Sequence, residues 1–285
     1  MIFTLVKGLI FILGHLPLGL ARGVGKVLGR LFYVLDKRHR ETVFNNLELA
    51  GYPEANREAI AREVFTHMGV TLLEVMSTPW LKKRDLTGYV EAEGLPVLEK
   101  ALKRGKGVIL FTAHLGNWEL QAAWYAIMGY RGDVVVRDMD SPLAARLMEW
   151  MRTRHGQTMV LKKRSMRRLL KTLSRGGMVG ILLDQNVARV EGVFVDFFGV
   201  PACTNKGPAM LAAVSGAAVI PTFITRRQGG HRVTIGPEIE LLRSGDKDRD
   251  ALENTARMTA VIEQAIRRNP GQWFWVHRRW KTRPE

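Results

Sequence analysis

The chain has 285 residues, 46% of them hydrophobic, which is enough to bury the core of one large domain. Its single cysteine, Cys203, excludes an internal disulfide, and 43 lysines and arginines against 27 acids leave a formal net charge of +16. Such an excess speaks of partners rather than of fold: anionic lipid headgroups, phosphorylated saccharides, an acidic carrier protein or nucleic acid. Nucleic acid is the poorest of these, because no zinc-ligand spacing, helix-turn-helix pattern or RNA-recognition signature is present. The basic clusters are instead interleaved with leucine and tryptophan, as at a bilayer interface.

Residues 1–20 are apolar apart from Thr4, Lys7 and His15, and Pro17, Gly8, Gly14 and Gly19 are of the kind tolerated in lipid. The cations follow the apolar stretch, at Arg22, Lys26, Arg30, Lys37, Arg38 and Arg40, which is the reverse of a signal peptide. As a positive-inside flank they predict a membrane-associated N-terminal helix with its basic flank over residues 1–35. That helix would cross once or lie in the inner leaflet, with 36–285 forming one domain on the cytoplasmic side. An amphipathic helix docked on that domain is the alternative. Residues 41–69 carry helical periodicity broken at Gly51, Tyr52 and Pro53, a helical pair ahead of a sheet. Strands are expected at 108–113, 133–137, 158–161, 178–183, 218–224 and 231–235. Helices are expected at 118–128, 142–155, 165–175, 207–215 and 248–268. Alternation of this kind predicts an α/β fold, a mostly parallel mixed sheet flanked by helices.

The stretch Gly107-Val108-Ile109-Leu110-Phe111-Thr112-Ala113-His114-Leu115-Gly116-Asn117-Trp118-Glu119-Leu120 carries the chemistry. An interior strand runs into His114, Gly116 lets the backbone turn, and Asn117 is a good N-cap for a helix opening at Trp118. His114 then sits at the carboxyl end of a strand, where open α/β sheets bind ligands. A spacing of five is wrong for one helix face, so the histidine lies off the helix. Glu119, in the first helical turn, is expected to fold back and accept the Nδ1 hydrogen, leaving Nε2 to take a proton from a substrate hydroxyl. A purely structural role, with His114 closing a strand and Glu119 complementing the helix dipole, is the alternative.

This stretch resembles the HxxxxE motif of the lysophospholipid acyltransferase superfamily, in the form HLGNWE of the branch containing the lipid A lauroyl and myristoyl acyltransferases. Leu182-Leu183-Asp184-Gln185-Asn186 is similar to that branch's DQ motif. The block Phe197 to Thr204 with Gly207-Pro208-Ala209 resembles its FFG.PA.T..GPA block, and Gln272 to Pro284 its closing signature. Four ordered motifs span nearly the whole chain. The resemblance implies a glycerolipid acyltransferase-like fold. It also implies a membrane-bound enzyme at the bacterial inner membrane, moving an acyl chain from an acyl-carrier-protein or coenzyme A thioester to a hydroxyl of a phosphorylated glycolipid, a lipid A precursor first of all. Direct attack by the acceptor needs no cofactor or metal. His114 and Glu119 would be catalytic. Asn117, Trp118, Asp184, Gln185 and Arg154, the last in a segment resembling the family's arginine-containing one, would support the site or bind substrate, with Arg137 and Arg152 as secondary candidates.

Around that centre we expect an acyl groove lined by Leu115, Trp118 and Leu120 and rimmed by Arg154 and cations of residues 162–175. There Lys162, Lys163, Arg164, Arg167, Arg168, Lys171 and Arg175 surround an apolar stripe of Met166, Leu169, Leu170 and Leu173. That helix reads as a solvated basic face, an interfacial helix or a dock for acidic acyl carrier protein. The helix start at Thr204 to Pro208 reads as a loop junction or an anion site. Cys203 as a thioester nucleophile is the weaker chemistry. No GxSxG elbow, phosphate-binding GxxxxGK[ST] loop or HExxH pair is present. The same chemistry on a phosphatidylinositol mannoside or a lysophospholipid, and a non-catalytic basic membrane-binding protein, are the competing functions.

Overall fold

Two prolines divide the N-terminal quarter of the chain. In this computed structural model, which describes residues 2–137, 139, 141–162 and 165–284, helix α1 (Ile2–Gly14) and helix α2 (Leu18–Leu35) are bent 116° from one another. Pro17 stands at the break, with no N–H to continue the first helix. The apolar helix expected over residues 1–20 is therefore two helices, and no single helix among the described residues is long and apolar enough to cross a membrane. Asp36 caps α3 (Lys37–Leu49) by accepting from the His39 N–H, and Pro53 opens the 24-residue α4 (Glu54–Ser77). Helix α2 lies along α4 through Ala21, Gly25, Gly29 and Tyr33, a buried stripe spaced by four. A Cβ on Gly69 of α4 would stand 2.2 Å from the Gly25 carbonyl oxygen, so only hydrogen fits between the two backbones.

After the short α5 (Lys83–Leu86) come β1 (Val90–Glu93), α6 (Leu95–Lys103), β2 (Val108–Thr112), α7 (Trp118–Ile127), β3 (Gly132–Val136), α8 (Pro142–Thr153), β4 (Thr158–Leu161), α9 (Met166–Ser174) and β5 (Met178–Leu182). A hairpin of β6 (Gly192–Phe197) and β7 (Val200–Asn205) precedes α10 (Gly207–Ser215), β8 (Ala218–Arg227), β9 (Gly230–Ile235) and α11 (Lys247–Arg268). Seven strands make one sheet in the order β1-β9-β8-β2-β5-β3-β4, with β6 and β7 apart from it. Every neighbouring pair in the large sheet is parallel except the hairpin β8–β9. Each strand and helix expected from periodicity is present.

Three strands escaped the sequence reading. The strand β1, Val-Glu-Ala-Glu, is a half-polar edge with no run of apolar residues. The FFG block reads as a motif, yet it is the turn of the β6–β7 hairpin: Phe198 at φ 60° and Gly199 at φ 79° form a two-residue loop with both central residues left-handed. The central strand β2 is buried on both faces, as its continuous apolar run requires. Ile109 and Phe111 face a core with Leu173, Leu211 and Met258 from α9, α10 and α11, whereas Val108 and Leu110 face Leu98, Leu120 and Trp124 from α6 and α7.

Candidate active site

Register brings the two sequence motifs together. Thr112 at the end of β2 pairs with Leu182 at the end of β5, and the Leu183 N–H donates to the Thr112 carbonyl at 3.0 Å. Two residues further along adjacent parallel strands, His114 and Asp184 leave the sheet side by side. The His114 backbone N–H donates to Asp184 Oδ2 at 3.0 Å, and its Nδ1 lies 2.8 Å from Asp184 Oδ1. The Trp273 indole N–H donates to Oδ2 at 2.7 Å. Burial alone would raise the Asp184 carboxyl, but the His114 imidazole and the three hydrogen bonds outweigh it and hold it down at about 2. An ionised Asp184 can only accept, so Nδ1 carries the hydrogen and Nε2 is the free lone pair. The Gln185 amide nitrogen stands 3.4 Å from that Nε2.

The C-terminal segment clamps this turn. Leu115 bridges Trp273, the Gly116 N–H donates to the Gln272 carbonyl at 2.9 Å, and the Phe274 N–H donates to the His114 carbonyl at 3.0 Å. Trp118 stands edge-on to the imidazole with ring centres 4.9 Å apart, and Phe274, 6.0 Å from the imidazole, packs edge-on against Trp118 at 5.8 Å. Gly116 adopts φ 64°, and a Cβ there would lie 1.9 Å from the Ile224 carbonyl oxygen. The sharp turn behind His114 thus admits glycine alone.

Beneath the turn lies a buried polar network that sequence reasoning missed. Glu74 of α4 accepts from Arg22 at 2.9 Å, Arg226 at 2.7 Å and the Asn117 amide at 3.1 Å, and lies 3.2 Å from His231 Nε2. His67 Nε2 lies 3.0 Å from the Gly116 carbonyl, and its Nδ1 contacts Arg226. Burial would raise the Glu74 carboxyl, but His231 and Arg226 more than compensate and hold it well below the usual range. Burial and the neighbouring Arg226 push His67 down to about 3, so it is neutral. The one signal available was Glu74 itself, a lone acid in the apolar run Val70-Thr71-Leu72-Leu73-Glu74-Val75-Met76, because a buried charge needs a partner. Arg226 is 152 residues away in sequence, so only the fold reveals it.

The residues singled out from the sequence separate into two groups. His114, Trp118, Asp184 and Gln185 converge. Asn117, fully buried, caps α7 through the Leu120 N–H and ties that cap to Glu74. Glu119 does not hold His114 among the described residues: its carboxylate takes the Trp118 indole N–H at 3.1 Å and the Arg152 Nε at 2.8 Å, with Arg152 Nη2 on its other oxygen. The reason is geometric, since α7 begins at Trp118 and carries Glu119 towards α8, while the parallel register places Asp184 against Nδ1. Arg154 is likewise displaced from the centre. It lies one residue past α8 and is exposed, with no side-chain partner among the described residues, while Arg152, a half-turn earlier, points inward.

Of the three residues expected to line an apolar groove, Trp118 lines one and the other two do not. Leu115 and Leu120 are core. A cavity of about 70 Å³ runs instead from Trp118 between α7 and the sheet, walled by Leu110, Ala122, Val134, Gly180, Ile181 and Leu182. Polar atoms along it satisfy one another: Thr112 donates to Gln121, Gln121 to Thr222, and Tyr125 lies 2.7 Å from the Thr222 hydroxyl. The rim of cations foreseen from residues 162–175 is partly committed elsewhere. Arg168 and Thr172 bind Asp133, Lys162 binds Glu191, and Leu169 and Leu173 are core, while Lys163 and Arg164 lie outside the described residues.

Comparison with known proteins decides what this centre belongs to. The family described as bacterial lipid A biosynthesis acyltransferase matches residues 1–282. The chain belongs to that family. It is 31% identical to the lipid A biosynthesis lauroyltransferase of Escherichia coli over 286 residues, covering 98% of this chain and 90% of the relative. It is 29% identical to the lipid A biosynthesis palmitoleoyltransferase of the same organism, over 97% and 90% of the two chains. A phosphatidylinositol mannoside acyltransferase of Mycobacterium tuberculosis is 27% identical over 73% of this chain and 66% of its own. This chain is thus an acyltransferase.

Proposed function

We propose that this acyltransferase moves a fatty acyl chain from an acyl-carrier-protein or coenzyme A thioester to a hydroxyl of a phosphorylated glycolipid, a lipid A precursor in the first place. The observation that carries the reading is the His114–Asp184 pair next to an apolar cavity, the two joined by Trp118, which stands against the His114 ring and lines the cavity. In this scheme Asp184 keeps the Nδ1 hydrogen in place, and His114 Nε2 takes the proton from the acceptor hydroxyl as its oxygen attacks the thioester carbonyl. The Gln185 amide, already within 3.4 Å of Nε2, is the nearest neutral donor for the tetrahedral oxyanion. Collapse expels the thiolate, which takes the proton back from His114. Glu119, paired with Arg152, positions α7 and Trp118 rather than the base. The donor's chain enters the cavity beside Trp118, which takes part of its length.

The membrane side is supported by surface rather than by a span. Leu5, Leu9, Ile12, Val27, Val34 and Leu35 are each more than half exposed, which puts an apolar face on α1 and α2 large enough to sit in a leaflet. We place this bent pair in the cytoplasmic leaflet of the inner membrane, held additionally by cations facing anionic lipid. A phosphatidylinositol mannoside remains the second acceptor, on the strength of the mycobacterial relative.

A radiolabelled-acyl assay with each acceptor, and with carrier-protein and coenzyme A donors in parallel, tests the reading. His114→Ala should lower transfer by about 10²- to 10⁴-fold, the usual worth of a general base. Wild-type rates in that variant would remove His114 from the mechanism. Transfer only to an unphosphorylated acceptor would remove the glycolipid.

A further inference from the structure

A second concavity, of about 250 Å³, opens between α3 and the C-terminal segment. Arg38, Arg278, Lys281 and Arg283 line it against a single acid, Glu41. These four cations are exposed, and none has a side-chain partner among the described residues. What distinguishes these four from the other cations of this basic chain is that they converge on one hollow, with a single acid among its lining residues. Trp280 also lines it. That residue is 3% exposed, and its indole N–H is buried without a hydrogen-bond partner. Its ring packs on Phe197 and Phe198 and gives the hollow a rigid apolar wall beneath the cations.

The hollow is tied to the reacting centre on one side and to the apolar surface on the other. Asn46, in its wall, donates to the Trp275 and His277 carbonyls at 2.6 and 2.7 Å, and Phe274 just before them stacks beside His114. Arg278 is four residues from Phe274, so the chain itself limits their separation to about 14 Å. Arg38 follows three residues after Leu35, the end of the exposed face of α2. A ligand that suits all three surroundings is amphipathic and has a phosphate at its polar end.

We propose that this cleft is a phosphate-binding site, taking a phosphomonoester on the acceptor's sugar headgroup while the acceptor's own chains lie along α2 and its hydroxyl reaches His114. The proposal rests on the reading of the acceptor as a phosphorylated glycolipid. A concave hollow of this size suits a small anion better than the broad face of an acidic protein. The phosphate on the donor's pantetheine arm is the other source of the same chemistry, and kinetics separate the two.

The test is the double variant R278S/K281S, both residues being exposed and free of structural partners. Its KM for the phosphorylated acceptor should rise by about tenfold for each cation, the lower end for charge-assisted hydrogen bonds given their exposure, with the donor KM unchanged. Wild type and variant should converge when the acceptor's phosphate has been removed. Independently of turnover, glucose 1-phosphate titrated into the wild-type protein and followed by calorimetry should give a saturable signal that the variant loses and K281R retains. A rise in donor KM instead would assign the cleft to the pantetheine phosphate. Unchanged acceptor KM, or equal glucose 1-phosphate binding in both proteins, would overturn the site. If no acceptor is turned over at all, the glycolipid reading fails, and the glucose 1-phosphate titration still decides the cleft.

Discussion

Asp184→Asn should disable this enzyme through a tautomer, at nearly unchanged shape. Asp184 Oδ2 receives two donors, the His114 backbone N–H at 3.0 Å and the Trp273 indole at 2.7 Å, while Oδ1 receives His114 Nδ1 at 2.8 Å. An asparagine has one carbonyl oxygen, and two donors compete for it at the Oδ2 position. Its NH₂ then faces Nδ1, which must become an acceptor, so the ring hydrogen moves to Nε2, where the acceptor hydroxyl needs a lone pair. We expect kcat to fall by about 10³- to 10⁴-fold, as for the corresponding change in the serine-protease triad, with KM values little altered. Stability should drop by about 2 kcal/mol, because a carboxylate held near 2 rather than its ordinary 3.8 loses that differential interaction. In the wild type this contribution is complete above about pH 4 and vanishes as pH falls through about 2. Steady-state kinetics and the ¹⁵N spectrum of the His114 ring are the assays. A variant with the hydrogen still on Nδ1, or with kcat within tenfold of wild type, would refute the role given to Asp184.

Other outcomes follow from the same geometry. Gly180 lines the apolar cavity, and a Cβ there would meet only a Val134 methyl at 3.9 Å, so Gly180→Leu should fold and fill the cavity. Competition between donors should then show kcat/KM for the longer chains falling at least about tenfold relative to shorter ones, since each excluded methylene is worth about 1–3 kcal/mol; an unchanged chain-length profile would move the acyl chain elsewhere. Burial holds His277 down at about 4 against an ordinary 6.5, so the unfolded chain takes its proton first, and stability should decline between about pH 6.5 and 4 by up to about 3 kcal/mol. Urea unfolding at both ends of that range should show the loss, and His277→Gln, which keeps an acceptor for the Asn186 N–H, should shrink it. Val27 and Leu31 share the exposed face of α2 at 62% and 47%, and V27E/L31E should lower partitioning into anionic vesicles by at least about tenfold even at high salt, where a purely ionic attachment would already have failed. Flotation equal to wild type would place the membrane contact on another surface.

Periodicity and composition determined much of this protein without coordinates. The alternation of apolar runs specified an α/β sheet with correct strand centres, and the motif order identified the family and placed His114 at a strand end, because both signals are local or lie within one motif. What the sequence alone left open was every pairing across the sheet. Glu119 is five residues from His114 and Asp184 is 70, yet register makes the distant residue the neighbour and a helix axis turns the near one away. The Glu74–Arg226 network and the cationic cleft of α3 with the C-terminal segment have the same origin, since their members are brought together only when elements far apart in sequence pack. Local propensity acts over a few residues, whereas side-chain neighbours in an open parallel sheet are decided by strand order and stagger. Only the tertiary fold supplies those.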